Sequence, residues 1–204
     1  ELIKRTNNCN IGRMYRYATL LLGMRPADHE YKVMGLAAYN NHKYGKEAYE
    51  VYADTLQVDG LDFKYKTKVK DHFFHFKERL EGQRFDAIAY GIQKRTEELL
   101  TEWIYNGVEH TGIGNVVMSG GVAQKIKANK LISELDGVNQ LFVPPKILNT
   151  PRLEKSPYHL VKPPHRVAEV FRRKTIPGAS VSQPDNEPLH IAQNLPHEIA
   201  LIAV

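Results

Sequence analysis

An α/β fold is what this sequence predicts, and three observations predict it. From Phe85 to Val143, helical and strand-like patterns alternate in the order helix, strand, helix, strand, which argues for parallel pairing. Glycines punctuate the joins: Gly112 and Gly114 precede the apolar run that starts at Asn115, and Gly120 and Gly121 follow it. Prolines are segregated, since only Pro26 lies before residue 144 and the other ten of the eleven fall between Pro144 and Pro196. Proline fixes φ and removes a donor, so the first part of the chain is free to hold long regular elements and the last part is not. The predicted organisation is a domain over residues 1–143 and an irregular, proline-rich tail over 144–204.

Taken in order, residues 11–22 read as a helix that Gly23 ends, with Pro26 beyond it. Residues 27–30 offer an N-cap for a second helix or helical turn over 31–39. Residues 47–56 read as a helix with Ala48, Val51, Tyr52 and Leu56 on one side, and 58–63 as a short strand around Asp59-Gly60. Residues 71–80 mix aromatic and basic side chains and fit no single pattern. The clearest helix is 85–108, where Ile88, Ile92, Leu99 and Trp103 form one stripe flanked by Leu100, Ile104 and Val108. Residues 111–114 end it. Residues 115–118 read as a buried strand, 121–135 as a helix with Ala128, Leu131, Ile132 and Leu135 on its apolar face, and 140–143 as another short strand. In the tail, 167–173 suggest a short helix, and 191–204 are apolar but interrupted by Pro196.

Composition bounds the function. At 204 residues, with 42% hydrophobic and 25% charged side chains, the chain is an ordinary soluble protein of one large or two small domains. No apolar run reaches membrane-spanning length and no secretory signal opens the chain, so no membrane partner is expected. The first residue is Glu1 rather than methionine, which suggests a fragment or a processed product. Cys9 is the single cysteine, which excludes an internal disulfide and a thiolate zinc cage and fits a cytoplasmic location. The net charge of +5 is concentrated between Lys146 and Lys174, while residues 175–204 hold no Lys or Arg. A basic linker explains this better than a nucleic-acid surface, because no helix-turn-helix or aromatic sheet motif accompanies the charge.

Two segments carry candidate chemistry. In Val116-Val117-Met118-Ser119-Gly120-Gly121-Val122 an apolar run breaks at two glycines before a helical pattern, so backbone amides there are placed to hold a phosphate. A plain tight turn is the alternative. In Glu30-Tyr31-Lys32-Val33-Met34-Gly35-Leu36-Ala37, Lys32 is placed to offer an ammonium to a phosphate or carbamoyl oxygen, with Gly35 giving backbone access. A surface lysine on a packed helix is the alternative there. His72 and His75 are spaced for one helix face, but Asp71 is the only carboxylate at ligand spacing, so no metal site is assigned. Glu97 and Glu98 are adjacent and point apart on a helix, which disfavours an acid–base pair. Arg13 and Arg16, with Tyr15 and Tyr17, read as a solvated helix face rather than an anion site. Ser119 lacks the Gly-x-Ser-x-Gly elbow, because Val117 stands where glycine is required. No catalytic residue is assigned.

Together the two segments resemble the carbamoyltransferase family that includes nodulation-factor and antibiotic O-carbamoyltransferases. The resemblance begins at Gly12-Arg13-Met14-Tyr15, passes through Leu22-Gly23, the Tyr31–Ala37 signature and Gln93, and reaches Ser119-Gly120-Gly121-Val122-Ala123 and Lys127-Ala128-Asn129 before fading at Pro144-Pro145. It implies an actin-like, sugar-kinase-like ATPase fold holding nucleotide between two lobes. It also implies ATP and carbamoyl phosphate as co-substrates, a carbamoyl-adenylate intermediate, and transfer to the hydroxyl of a small molecule. Gly120, Gly121 and Asn129 match the nucleotide-contacting turn, and Lys32 and Gly35 match the signature near the site. The chain departs from the family at Lys125, where an asparagine is usual. It also lacks the upstream histidine-rich metal segment and the Asp-Gly-rich segment after the two prolines. Those departures leave three readings: a transferase fragment completed by a second copy or another chain, a non-catalytic nucleotide-binding or interaction module, and, least favoured, a basic nucleic-acid binder.

Overall fold

The computed structural model describes residues 3–144 and 199–203. Its elements are helices α1 (Ile11–Leu21), α2 (Glu30–Leu36), α3 (His42–Ala53), α4 (His72–Arg79), α5 (Phe85–Thr111) and α6 (Ile126–Ser133), and strands β1 (Leu56–Asp59), β2 (Asp62–Tyr65), β3 (Asn115–Ser119), β4 (Gln140–Phe142) and β5 (Ile199–Ala203). Short 3₁₀ turns follow α2 at Ala37–Tyr39 and precede α6 at Val122–Gln124. Helix and strand are mixed as the sequence predicts, and β3 is the middle of a parallel sheet in the order β4-β3-β5. β1 and β2 form a separate antiparallel hairpin.

Helix α5 is the centre of the fold. Its Ile88, Ile92, Leu99, Leu100, Ile104 and Val108 are all buried, as the periodicity requires, and α3 lies across it. The crossing is close because Gly91 has no side chain. A Cβ added there would stand 2.8 Å from the Ala48 carbonyl carbon and the Tyr49 nitrogen of the α3 backbone. Ala48, Val51, Tyr52 and Leu56 are buried together, though Leu56 belongs to β1 rather than to the helix.

Helix α1 buries Ile11, Met14, Tyr15 and Ala18 at helical spacing. It ends in a paired motif in which Gly23 N–H donates to Leu20 O at 2.9 Å and Met24 N–H donates to Thr19 O at 3.0 Å. Helix α3 starts earlier than expected, because the Asn41 side chain accepts from Lys43 N–H and so caps it. The expected strand over 58–63 is two strands, joined at Gly60 and Leu61 with Asp59 opposite Asp62. Residues 72–79 form α4, capped by Asp71, whose carboxylate accepts from Phe73 and Phe74 N–H. The N-cap of α2 falls within 27–30, at His29, but the His29 side chain accepts from Arg25 N–H at 3.2 Å rather than from the helix, and Asp28 pairs with Arg25 at 3.4 Å.

Two further expectations change. The helix placed over 121–135 is interrupted, since Lys125 has extended backbone at φ −79° and ψ 92° and α6 begins only at Ile126. The stretch after Pro144 contributes a regular element at its end, because the proline-free run Ile199–Ala203 pairs in parallel with the whole of β3. The short helix expected over 167–173 lies outside the described residues.

The α3–α5 crossing yields a paired test. Gly91→Ala is expected to lower stability by about 1–2 kcal/mol, overpacking outweighing the better helix propensity of alanine. Gly107→Ala, on the same helix with nothing within 4 Å of its added Cβ, is expected to gain up to ~1 kcal/mol. Thermal melts of both variants check the pair; equal effects would rule out a sterically tight crossing.

Candidate functional site

The Ser119-Gly120-Gly121 turn opens onto a cleft of about 390 Å³ between α1, the α1–α2 connection and the 3₁₀ turn that precedes α6. Gly121 lines it, with Gly12, Arg13, Tyr15 and Arg16 from one side, Ala27 and Glu30 from another, and Lys125 at the base of the turn. The volume lies within the range of small-molecule sites. Gly120 has φ 110°, a conformation that side chains resist, and it lets the strand turn sharply into the cleft wall. Helix α1 lies close against that wall at Gly12, where an added Cβ would stand 3.2 Å from Val122 Cγ2.

Lys125 is the unexpected member. It is 6% exposed, and its ammonium sits 3.2 Å from the centroid of the Tyr15 ring. Its extended backbone turns the side chain inward, which is also what breaks the predicted helix. Burial pulls its pKa from 10.5 down to about 8, while the Glu30 carboxylate pulls the other way. Tyr15 is itself fixed from behind: its hydroxyl donates to Gln93 Oε1 at 2.9 Å, and Gln93 Nε2 donates to Glu97 Oε1 at 2.7 Å. Burial, then the charges of Glu30 and Glu97, push the Tyr15 phenol well above its ordinary pKa, so it stays neutral. Glu30 is drawn to the rim by a backbone turn at Ala27, which has φ 67° and donates its N–H to Glu30 Oε1 at 3.3 Å. A positive φ in a residue with a side chain is strained, and here the strain borders the cleft.

Among the sequence candidates, Gly121 faces the cleft and Gly120 precedes it in the turn. Asn129 stands behind the turn rather than in the cleft lining, and its Nδ2 donates to Ala123 O at 2.8 Å. Its Oδ1 is buried without a hydrogen-bond partner. Lys32 and Gly35 lie on the exposed side of α2 and do not line the cleft; the Lys32 ammonium is 5.9 Å from the Tyr31 ring centroid. Arg13 and Arg16 are exposed, as a solvated face expects, and they also line the cleft. The sequence signal that existed for them was their one-turn spacing on either side of Tyr15.

The remaining polar candidates are occupied elsewhere. His72 stacks on Tyr65 with centroids 4.5 Å apart, and its pKa is lowered by burial and by His75. Among the described residues no three His, Cys, Asp or Glu side chains meet as a metal-ligand set. Glu97 and Glu98 diverge as expected, Glu97 toward Gln93 and Glu98 toward Tyr49 at 2.7 Å and Arg95 at 3.2 Å. Burial pushes the Cys9 thiol up to about 11, which disfavours a thiolate. Among the described residues no helix is long and apolar enough to cross a membrane.

Known proteins resemble this arrangement at the sequence level. The family described as the carbamoyltransferase N-terminus matches residues 2–149. Two uncharacterized proteins of Methanocaldococcus jannaschii are similar, one 30% identical over 146 residues and the other 28% identical over 142. Each alignment covers 67% of this chain but only 27% and 23% of the relative, so the chain spans about a quarter of their length.

The buried ammonium gives a stability prediction. With the folded pKa of Lys125 near 8 and the unfolded value near 10.5, the folded state binds fewer protons between those limits, so stability rises as pH increases from 8 to 10.5. Below pH 8 the full penalty is present, about 3 kcal/mol against the charged form. Lys125→Met is expected to raise the melting temperature at neutral pH and to flatten this rise. Denaturant melts from pH 7 to 10.5 measure both; a variant less stable than the parent would refute it.

Proposed function

The chain belongs to the carbamoyltransferase family through the N-terminal region of that family, and from that premise we propose that it is the nucleotide-facing part of an O-carbamoyltransferase. In this reading carbamoyl phosphate is hydrolysed to carbamate and inorganic phosphate, and a carbamate oxygen attacks the α-phosphorus of ATP, so that pyrophosphate leaves and a carbamoyl-adenylate forms. The hydroxyl oxygen of a small molecule then attacks the carbamoyl carbon, the bond from that carbon to the AMP oxygen breaks, AMP leaves and the hydroxyl proton passes to water. The fold proposed for the whole domain is the actin-like ATPase fold, with ATP in the cleft and its phosphates against the Gly120-Gly121 turn. Asn129 would hold the turn in shape from behind, and Lys32 and Gly35 would act from α2 at the edge of the site, with a second copy or another chain as a partner. A cytoplasmic setting is part of this proposal.

The observation that carries the reading is the opening of the Gly121 turn onto a cleft that also holds Arg13, Arg16 and Lys125. Adenylation gathers negative charge on phosphoryl oxygens, and fixed cations and amides in a partly dehydrated cleft stabilise that charge more strongly than water does. No described side chain stands out as a general base, so the activity of this chain alone is a separate question from its binding. The non-catalytic reading, a nucleotide-binding relative, shares every feature of the cleft.

Calorimetric titration of the folded chain with ATP is the test. Saturable binding is expected, and Gly121→Asp, which sets a carboxylate at the cleft wall, is expected to reduce it beyond detection. Absence of ATP binding by folded material would sink the proposal. Trp103 is a poor reporter, since it is held by the β1–β2 hairpin through Leu61 O at 3.0 Å and lies outside the cleft lining. Carbamoyl-phosphate-dependent ATP consumption, lost in the same variant, separates the enzyme from the binding module.

A further inference from the structure

The charge at the cleft lining is predominantly positive. Arg13, Arg16 and Lys125 bring three cations to its lining, and Glu30 brings a carboxylate. Among the described residues no ion pair joins Arg13 or Arg16 to a carboxylate, as is also true of Arg5 and Arg79, whereas Arg25, Arg84 and Arg95 are paired. The two arginines are one helical turn apart on α1, which places them on a common face. Lys125 approaches from the turn on the other side, buried and seated on the Tyr15 ring. A methionine of similar length would fill that place without the cost of dehydrating a charge. A cation retained under such a penalty, in a cleft whose lining also carries the exposed Arg13 and Arg16, points to function rather than packing.

We infer that Arg13, Arg16 and Lys125 form a seat for a phosphoryl dianion. Planar guanidiniums match pairs of phosphoryl oxygens, and the lysine supplies a compact positive charge. Glu30 limits the seat's net charge, and the Tyr15 ring carries the lysine. The inference deepens the proposed function by naming the groups that take the phosphoryl oxygens, and it rests on that reading only for what the phosphoryl group is attached to. A free phosphate, an acyl phosphate and the phosphate chain of a nucleotide share the chemistry.

Calorimetry on the 204-residue chain with inorganic phosphate, pyrophosphate, ATP and adenosine tests the seat and separates its sources. Phosphate or pyrophosphate is expected to bind saturably, and Lys125→Met and Arg16→Gln are each expected to weaken that binding by about tenfold or more, as loss of a charge-assisted contact should. Lys77→Gln, on the exposed face of α4, removes the same net charge far from the cleft lining and should leave affinity within about twofold. Because Lys125→Met is expected to be at least as stable as the parent, weakened binding in it does not reflect unfolding, and a melt of each variant verifies this. Three results overturn the inference: no saturable binding of either anion up to roughly 10 mM, undiminished affinity in both cleft variants, or equal weakening in Lys77→Gln. If ATP binds undiminished to the cleft variants, the seat fails and the nucleotide reading stands. If phosphate binds through the seat while ATP and adenosine do not, the nucleotide reading fails and the seat stands.

Discussion

The close crossing of α3 over α5 at Gly91 is the constraint from which the rest of the structure follows. Where backbone meets backbone at van der Waals range, neither helix can rotate or slide without a clash, so the azimuth of α5 is set at this point. Two residues further on, Gln93 therefore faces α1 rather than solvent, and its amide fixes the Tyr15 hydroxyl. Tyr15 in turn provides the ring on which Lys125 rests. A steric contact between two helices thus decides, through one amide and one phenol, where a cation stands in the cleft. The sheet is placed by other contacts: α6 packs on α5, Asn139 N–H donates to Gly114 O at 2.8 Å ahead of β3, and β3 carries the glycine turn to the cleft rim.

Elements with a sustained apolar period were legible in the sequence, and those whose boundaries depend on a single polar side chain were not. Helix α5 is buried along most of its length, so its periodicity survives almost unbroken. The first turns of α3 are His42, Lys43 and Tyr44, with no apolar stripe; they are helical because Asn41 caps them. Helix α4 is short, carries Phe74 exposed and Phe76 buried, and owes its start to Asp71. In both cases a carbonyl or carboxylate oxygen that satisfies free backbone N–H groups outweighed a weak hydrophobic pattern. The Asp59-Gly60 pair was read as lying within a strand, although a positive φ at Gly60 is what folds two strands back on each other.

The site shows the same division. Glycines at a strand end mark a turn by themselves, because their meaning is conformational, and Gly121 does face the cleft. Arginine and lysine mark only a charge, and their default place is the surface. Nothing local in Gln124-Lys125-Ile126 reveals an inward lysine; that depends on the Tyr15 ring, which lies far away in sequence. The Asn129 amide nitrogen ties the turn to α6, while its Oδ1 is buried without a hydrogen-bond partner.

The polarity of the Tyr15–Gln93–Glu97 chain completes the electrostatic argument. An ionised Glu97 only accepts, so it must take the Gln93 Nε2 donor, which leaves Oε1 for Tyr15. The phenol proton is then committed to Oε1, on the side away from the ring face that meets Lys125. A phenolate would form an ion pair with the ammonium and cancel the cation. Burial and the two nearby carboxylates prevent this by holding the proton on oxygen. The neutral ring therefore steadies Lys125 through its quadrupole without neutralising it. That distinction decides what the cleft can recruit: with Tyr15 protonated, Glu30 is the carboxylate set against three cations at the lining, and the balance favours an incoming anion.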